Sequence, residues 1–276
     1  MNEARWKYLL MMMAGCGLCL FCLLPFVWMI VVSLSARADF LASGSGFAPT
    51  IRNYLDVLTA ESVFLLAYMK NSLVVSALSA VLATSVAGFS AYAITRLTFP
   101  GRMIIPLIML GLSMFPQISI VGYLFKMMSG VGWINTYPAL VFPYAALGVA
   151  LALWIMMSYF AQLPQELDKA ALIDGAGRLQ ILVRVVGPLA LPGALSAALV
   201  VFIYSFNEFL FALMLTIDYR ARTIPVGIAL FEGLHGQTPW GHIMASAVVA
   251  TIPMIVVAAG FQRRIVQGLT QGAIKG

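Results

Sequence analysis

Six charged side chains crowd one short stretch of an otherwise apolar chain: Glu166, Asp168, Lys169, Asp174, Arg178 and Arg184 all lie between residues 164 and 188. Carboxylates and cations at this density suit ion pairing and charge-assisted hydrogen bonding with a partner in water. They are not arranged for covalent chemistry, because no histidine, cysteine or serine stands among them. Other reactive residues are sparse. His235 and His242 are seven residues apart, with no cysteine beside them. Cys16, Cys19 and Cys22 share one helix face, but thiols in an apolar run stay protonated and pack as small apolar groups. No metal site and no catalytic residue is expected. A Gly-x-x-x-x-Gly-Lys-Ser/Thr phosphate loop is also missing, so any nucleotide hydrolysis belongs to another polypeptide. One acid, Glu208, interrupts an apolar run, beside Asn207. A charge at the centre of a membrane helix costs about 2.5–3.5 kcal/mol, so it must serve a path, a hinge or a hydrated helix end.

The elements that carry these groups are membrane spans. The chain has 276 residues, is 62% hydrophobic and only 9% charged, and has a mean hydropathy of +0.97. About 20 apolar residues cross a bilayer. Six runs qualify, at 8–34, 71–95, 103–125, 137–160, 189–216 and 242–261, in a single all-α membrane domain over 1–276. The first run is too long for a cleaved secretory signal and reads as an uncleaved anchor. The net charge of +6 does not mark a nucleic-acid binder, because the bases sit at the ends of apolar runs and form no basic stripe with interleaved aromatics. With the N-terminus inside, the inner segments hold ten Lys and Arg and the outer segments six. That bias places both termini, and the 164–188 island, in the cytoplasm. The longest outer segment, 35–70, contains an amphipathic stretch from Asn53 onward.

Within the island, Pro164 suits the start of a helix, and Glu166 and Asp168 follow where the helix dipole favours negative charge. Leu163, Leu167, Ala170 and Ala171 share a face, and Asp174-Gly175 ends the helix in a turn. A second amphipathic piece from Arg178 to Val186 meets Pro188 and Pro192, which are expected to stop it and re-aim the chain. The product is a short helix across the mouth of the membrane domain, tied to the fourth and fifth spans. The pattern alone also fits an ordinary polar connection. In the third span, Pro116 is expected to kink the helix, with Gln117 among the polar groups around it. Pro116, Gln117, Asn207 and Glu208 are therefore the candidates for a pathway or gate.

The run KAALIDGAGRLQILVRVVGP resembles the cytoplasmic loop of ABC-importer permeases. That loop reads Glu-Ala-Ala, three residues, Gly, nine residues, Ile-x-Leu-Pro. Ala170, Ala171, Gly175 and Pro188 match at that spacing, and Val185 replaces the isoleucine. Lys169 stands at the glutamate position and Gly187 at the leucine position. The segments 71–102, MFPQISIVGYLF, GWINTYPALVFPY, FNEFLFAL and GLTQGAIKG are similar to the maltose- and trehalose-type carbohydrate permeases, in the same order. The resemblance implies a type I importer architecture and a disaccharide such as trehalose or maltose as cargo. It implies a heterodimer with a second permease, an extracytoplasmic sugar-binding protein, and two ATPase subunits that hold the ATP and magnesium. Residues 164–188 would then supply the coupling helix, with Glu166, Asp168, Lys169, Ala170, Ala171, Asp174, Gly175 and Arg178 at the ATPase. The family's glutamate pairs with the ATPase, so Lys169 leaves two options: a different partner surface, or Glu166 and Asp168 in its place. The tail from Gln271 is a second candidate contact. A permease for a phosphorylated polyol and an ion-driven carrier remain as alternatives. The carrier would need more intramembrane acids than Glu208.

Overall fold

The computed structural model describes residues 2–37, 47–60, 63–231 and 239–270, with side chains described from residue 6 to residue 261 of these. His235 and the tail from Gln271 lie outside the described residues. The described chain is helical, apart from one isolated bridge between Ser35 and Pro49. In chain order the helices are α1 (Asn2–Ser33), α2 (Arg52–Thr59), α3 (Leu65–Arg96), α4 (Ile104–Ser113), α5 (Gln117–Gly130), α6 (Tyr137–Gln162) and α7 (Glu166–Ile173). They continue with α8 (Arg178–Gln180), a π-helical segment (Ile181–Val186), α9 (Gly187–Phe206), α10 (Leu210–Leu215), α11 (Ile224–Ala229) and α12 (Trp240–Thr270). Among the described residues, five helical runs are long and apolar enough to span a bilayer, and α4 with α5 makes a sixth if counted together.

Two compact units divide the chain: Met1–Leu66 with Ile228–Ile252, and Ala67–Gly227 with Pro253–Gly276. In the first, α1 buries almost none of its apolar surface. Its Leu, Met, Phe and Trp side chains point outward, which is stable only in lipid or against a partner. Cys16, Cys19 and Cys22 lie exposed along it. The first part of the amphipathic stretch expected from Asn53 onward lies in α2, and its last residues, from Leu65, open α3. The Asn53 amide of α2 donates at 2.9 Å to the carbonyls of both Ser33 and Ser35, securing the end of α1.

The second unit holds both cores. One is rich in alanine: Ala80, Ala83, Ala87 and Ala91 of α3 meet Ala145, Ala152 and Phe160 of α6 and Ala190 and Ala197 of α9. Lipid supplies no hydrophobic drive between helices, so association depends on close packing, which small residues permit. A Cβ at Gly193 would lie 2.3 Å from the Tyr159 ring, so α9 can sit against α6 only with glycine there. The other core gathers Val75, Leu140, Tyr144, Phe211, Leu215 and Val226 at the opposite end of α3 and α6.

Two expectations are corrected. The third run is no kinked helix, because α4 and α5 meet at 92° across residues 114–116. Pro116 is extended (φ −63°, ψ 123°) and stands at the N-cap of α5, where its missing N–H leaves no bond unmade. Secondly, Pro188 and Pro192 do not stop the chain, which stays helical from Arg178 to Phe206. For Pro188 the reason is the π segment directly before it. A proline clashes with the carbonyl four residues earlier and cannot donate to it. The wider π turn closes instead through the Gly187 N–H to the Leu182 carbonyl.

Candidate functional site

At one end of the second unit, α6 finishes at Gln162, and the chain crosses to α7 through Leu163, Pro164 and Gln165. The helix begins two residues after Pro164, with Glu166 and Asp168 in its first turn. Its end is a Schellman turn: Gly175 N–H reaches the Leu172 carbonyl at 3.1 Å and Ala176 N–H the Ala171 carbonyl at 2.9 Å. Gly175 carries the left-handed backbone this requires (φ +82°). No atom lies within 4 Å of where its Cβ would be, so backbone strain rather than an internal clash restricts the position.

The faces of α7 differ from the sequence pattern in two ways: Ala170, expected on the apolar face with Ala171, is exposed, and Asp168 is buried. Asp168 and Ala171 turn inward, whereas Glu166, Lys169, Ala170, Leu172, Ile173 and Asp174 face outward. Ile173 is 87% exposed, unusual for so apolar a side chain at the tip of a polar loop. Arg178 is also exposed.

Asp168 is buried against Tyr92 and Arg96, in the last turns of α3. The Tyr92 hydroxyl donates to Asp168 Oδ1 at 3.0 Å, and Arg96 Nε stands 3.7 Å from Oδ2. The latter is an ion-pair distance and too long for a hydrogen bond. One guanidinium nitrogen, Nη2, donates to the Phe160 and Leu163 carbonyls at the end of α6, at 2.9 and 2.7 Å. The Tyr92 ring packs edge-on against Phe160, with centroids 6.1 Å apart. Arg178 lies within interaction range of the Tyr92 hydroxyl. Sequence reasoning missed Tyr92 and Arg96. The available signal was a lone arginine closing a long apolar helix, where the dipole and free carbonyls favour a cation.

The four pathway candidates fall at two chain breaks. Gln117 begins α5, and its amide donates to the Tyr204 hydroxyl of α9 at 2.5 Å. Asn207 and Glu208 occupy the break between α9 and α10. Asn207 is exposed and donates to the Ile203 carbonyl at 2.8 Å. Glu208 is buried, and its two oxygens accept the Phe211 and Ala212 N–H groups at 2.8 and 3.2 Å. It therefore caps the start of α10. Tyr144 and Tyr204 both lie within electrostatic range of this carboxylate. Four candidates thus form two local groups, linked by Tyr204.

The far end of the unit is pinned by two asparagines. Asn71 donates to the Tyr219 and Arg222 carbonyls and accepts from the Tyr137 hydroxyl. Asn135, held at φ +62°, donates to Asp218 and accepts the Ile217 and Asp218 N–H groups. The Asn135 hydrogen bond, then the Arg220 N–H, hold the Asp218 carboxyl below its ordinary range, because both bind the charged form.

Residues 99–271 match the family model described as "Binding-protein-dependent transport system inner membrane component". The chain is 50% identical over 277 residues to the trehalose/maltose transport system permease protein MalG of Thermococcus litoralis, covering 100% of both chains. It is 39% identical to the trehalose transport system permease protein SugB of Mycobacterium tuberculosis, over 93% of each. Among solved structures, a bacterial ABC transporter involved in the import of the acidic polysaccharide alginate superposes with a TM-score of 0.77 at 21% identity, covering 95% of this chain and 98% of that one. A second, the alginate transporter in complex with its pentasaccharide-bound periplasmic protein, gives 0.67 at 17% identity over 94% of each chain.

Proposed function

The chain belongs to the family of binding-protein-dependent transport system inner membrane components, as a multi-pass sugar permease of the ABC type, and on that footing we propose its cargo, its partners and the way it is driven. The cargo is a disaccharide of the trehalose or maltose kind. The full-length relationship to a trehalose/maltose permease, at 50% identity, supports this class over other solutes. The membrane is the bacterial or archaeal cytoplasmic membrane, with both termini inside, as the ten-to-six distribution of bases favours. A second permease completes the path, a sugar-binding protein delivers the cargo outside, and two ATPase subunits bind ATP and magnesium inside.

The observation that carries the mechanism is the two-sided character of α7. Its outer face presents Glu166, Lys169, Ala170, Ile173 and Asp174 to solvent, while its inner face is fastened through Asp168 to the end of α3, whose Arg96 in turn holds the end of α6. The outer face seats on an ATPase subunit, with Ala171 and Gly175 shaping the helix and its turn and Arg178 beside them. When the ATPases close on ATP, α7 is displaced, and the displacement reaches two spanning helices at once. The membrane domain then changes between inward- and outward-open states, a bistable element biased from its edge. Of the two acids weighed as substitutes for the family's glutamate, Asp168 is turned away, and Glu166 is the one facing out. On the path itself, the broken span at Pro116 with Gln117, and the break carrying Asn207 and Glu208, supply polar groups within an apolar unit. Breaks of this kind are tolerated at membrane depth where they face a cavity.

Co-purification in mild detergent tests the assignment. ATPase subunits and a second permease are expected to come with the chain, and ATP hydrolysis to rise when the binding protein is loaded with trehalose or maltose. A complex stimulated by neither sugar would overturn the cargo, and a chain isolated without any ATPase would overturn the drive.

A further inference from the structure

We propose that Tyr92, Arg96 and Asp168 form a clamp that makes α7 move as one body with the ends of α3 and α6, so that Asp168 is a positioning residue for transport and not a contact to the ATPase. The inference rests on the reading that α7 receives the ATPase's motion. It assigns to an acid of the coupling loop a task inside its own chain.

The geometry allows little else. The side chains of Arg96 and Asp168 are 4% and 7% exposed, too deep to meet a docking subunit. A single guanidinium joins three elements. It is rooted in α3, donates to two carbonyls at the end of α6, and faces the carboxylate of α7. Tyr92 adds a second tie from α3 to the same carboxylate and, by its ring, to Phe160 of α6. Apolar contacts through Ala171 would suffice to hold α7 against the membrane domain, but such contacts slide. A buried ion pair resists sliding, because separation strands two charges away from water. The forked guanidinium also fixes direction, which a lysine ammonium would not. A push on the outer face therefore cannot be absorbed by α7 rocking on its seat.

The test uses the complete complex in proteoliposomes, with ATPases and loaded binding protein, and reads sugar moved per ATP hydrolysed. Asp168→Asn is expected to co-purify with ATPase as the wild type does. Its sugar-to-ATP ratio is expected to fall by about fivefold or more, the lower end of ordinary coupling energies. Asp168→Glu, which keeps the charge, is expected to recover at least about half of the wild-type ratio. Tyr92→Phe removes a single hydroxyl and leaves the ring packing, so it guards against a folding failure at Asp168. Its ratio is expected to fall about twofold or more, as for one hydrogen bond. A wild-type ratio in Asp168→Asn or Tyr92→Phe would overturn the clamp, as would loss of ATPase binding in Asp168→Asn. Failure of the wild-type complex to hold an ATPase would instead overturn the drive proposed above, so the two claims fail separately.

Discussion

A carboxylate leaving water needs compensation, and in this chain each buried acid finds it differently. Asp168 takes a tyrosine hydroxyl and an arginine. Glu208 takes two backbone N–H groups at the start of α10, a use of the helix end that lowers the cost of a charge in an apolar unit. Neither partner set is visible as a sequence motif. Arg96 stands far from Asp168 in the chain, and the acid at 168 is indistinguishable in pattern from the one at 166. Which of the two faces out is decided by helix phase and by the arginine it meets. Gly175, by contrast, was legible: an Asp-Gly pair after an apolar run marks a helix end, and φ +82° agrees. The expected cost of a β-branched residue there is about 1–2 kcal/mol of backbone strain, whereas asparagine visits the left-handed region more readily. Gly175→Val is therefore expected to reach the membrane but to reduce uptake severely, and Gly175→Asn to keep more of it. Uptake in intact cells, normalised to permease in the membrane, checks this order. Equal uptake by the valine and asparagine variants would contradict it.

The spans were legible as elements because hydrocarbon imposes both length and composition on them. Their breaks were not. Prolines 25, 143, 192 and 253 all lie inside continuous helices, while Pro116 stands at a 92° turn. The difference lies outside local sequence: the turn at Pro116 is held by Gln117 reaching Tyr204 on another helix, and α10 packs beside α5. The π segment is similarly hidden, since it arises from accommodating Pro188 in a helix that does not end. It also accounts for a departure from the family pattern. Gly187 stands where the motif has leucine, and a Cβ there would come within 2.5 Å of the Leu182 carbonyl. Gly187→Ala is expected to lower stability by about 1–3 kcal/mol through overpacking, or to force the segment into a regular α-helix. Thermal melting of the purified protein reads this, and an unchanged midpoint with an unchanged sugar-to-ATP ratio would contradict the close approach.

At the scale of the molecule, the chain is a machine part. Its second unit ties an exposed loop to two spans at one end and pins the loop after α10 through Asn71 and Asn135 at the other. Its first unit carries α1 with its apolar side chains turned outward. In the function proposed above, the permease is driven by separate ATPase subunits, and their motion arrives from outside through α7. Uptake of labelled trehalose or maltose into proteoliposomes is the most direct measurement, comparing the assembled complex supplied with internal ATP against this chain reconstituted alone under an ion gradient. Uptake only in the complex, and only with ATP, is the result expected. Accumulation by the chain alone, driven by the gradient, would contradict the account.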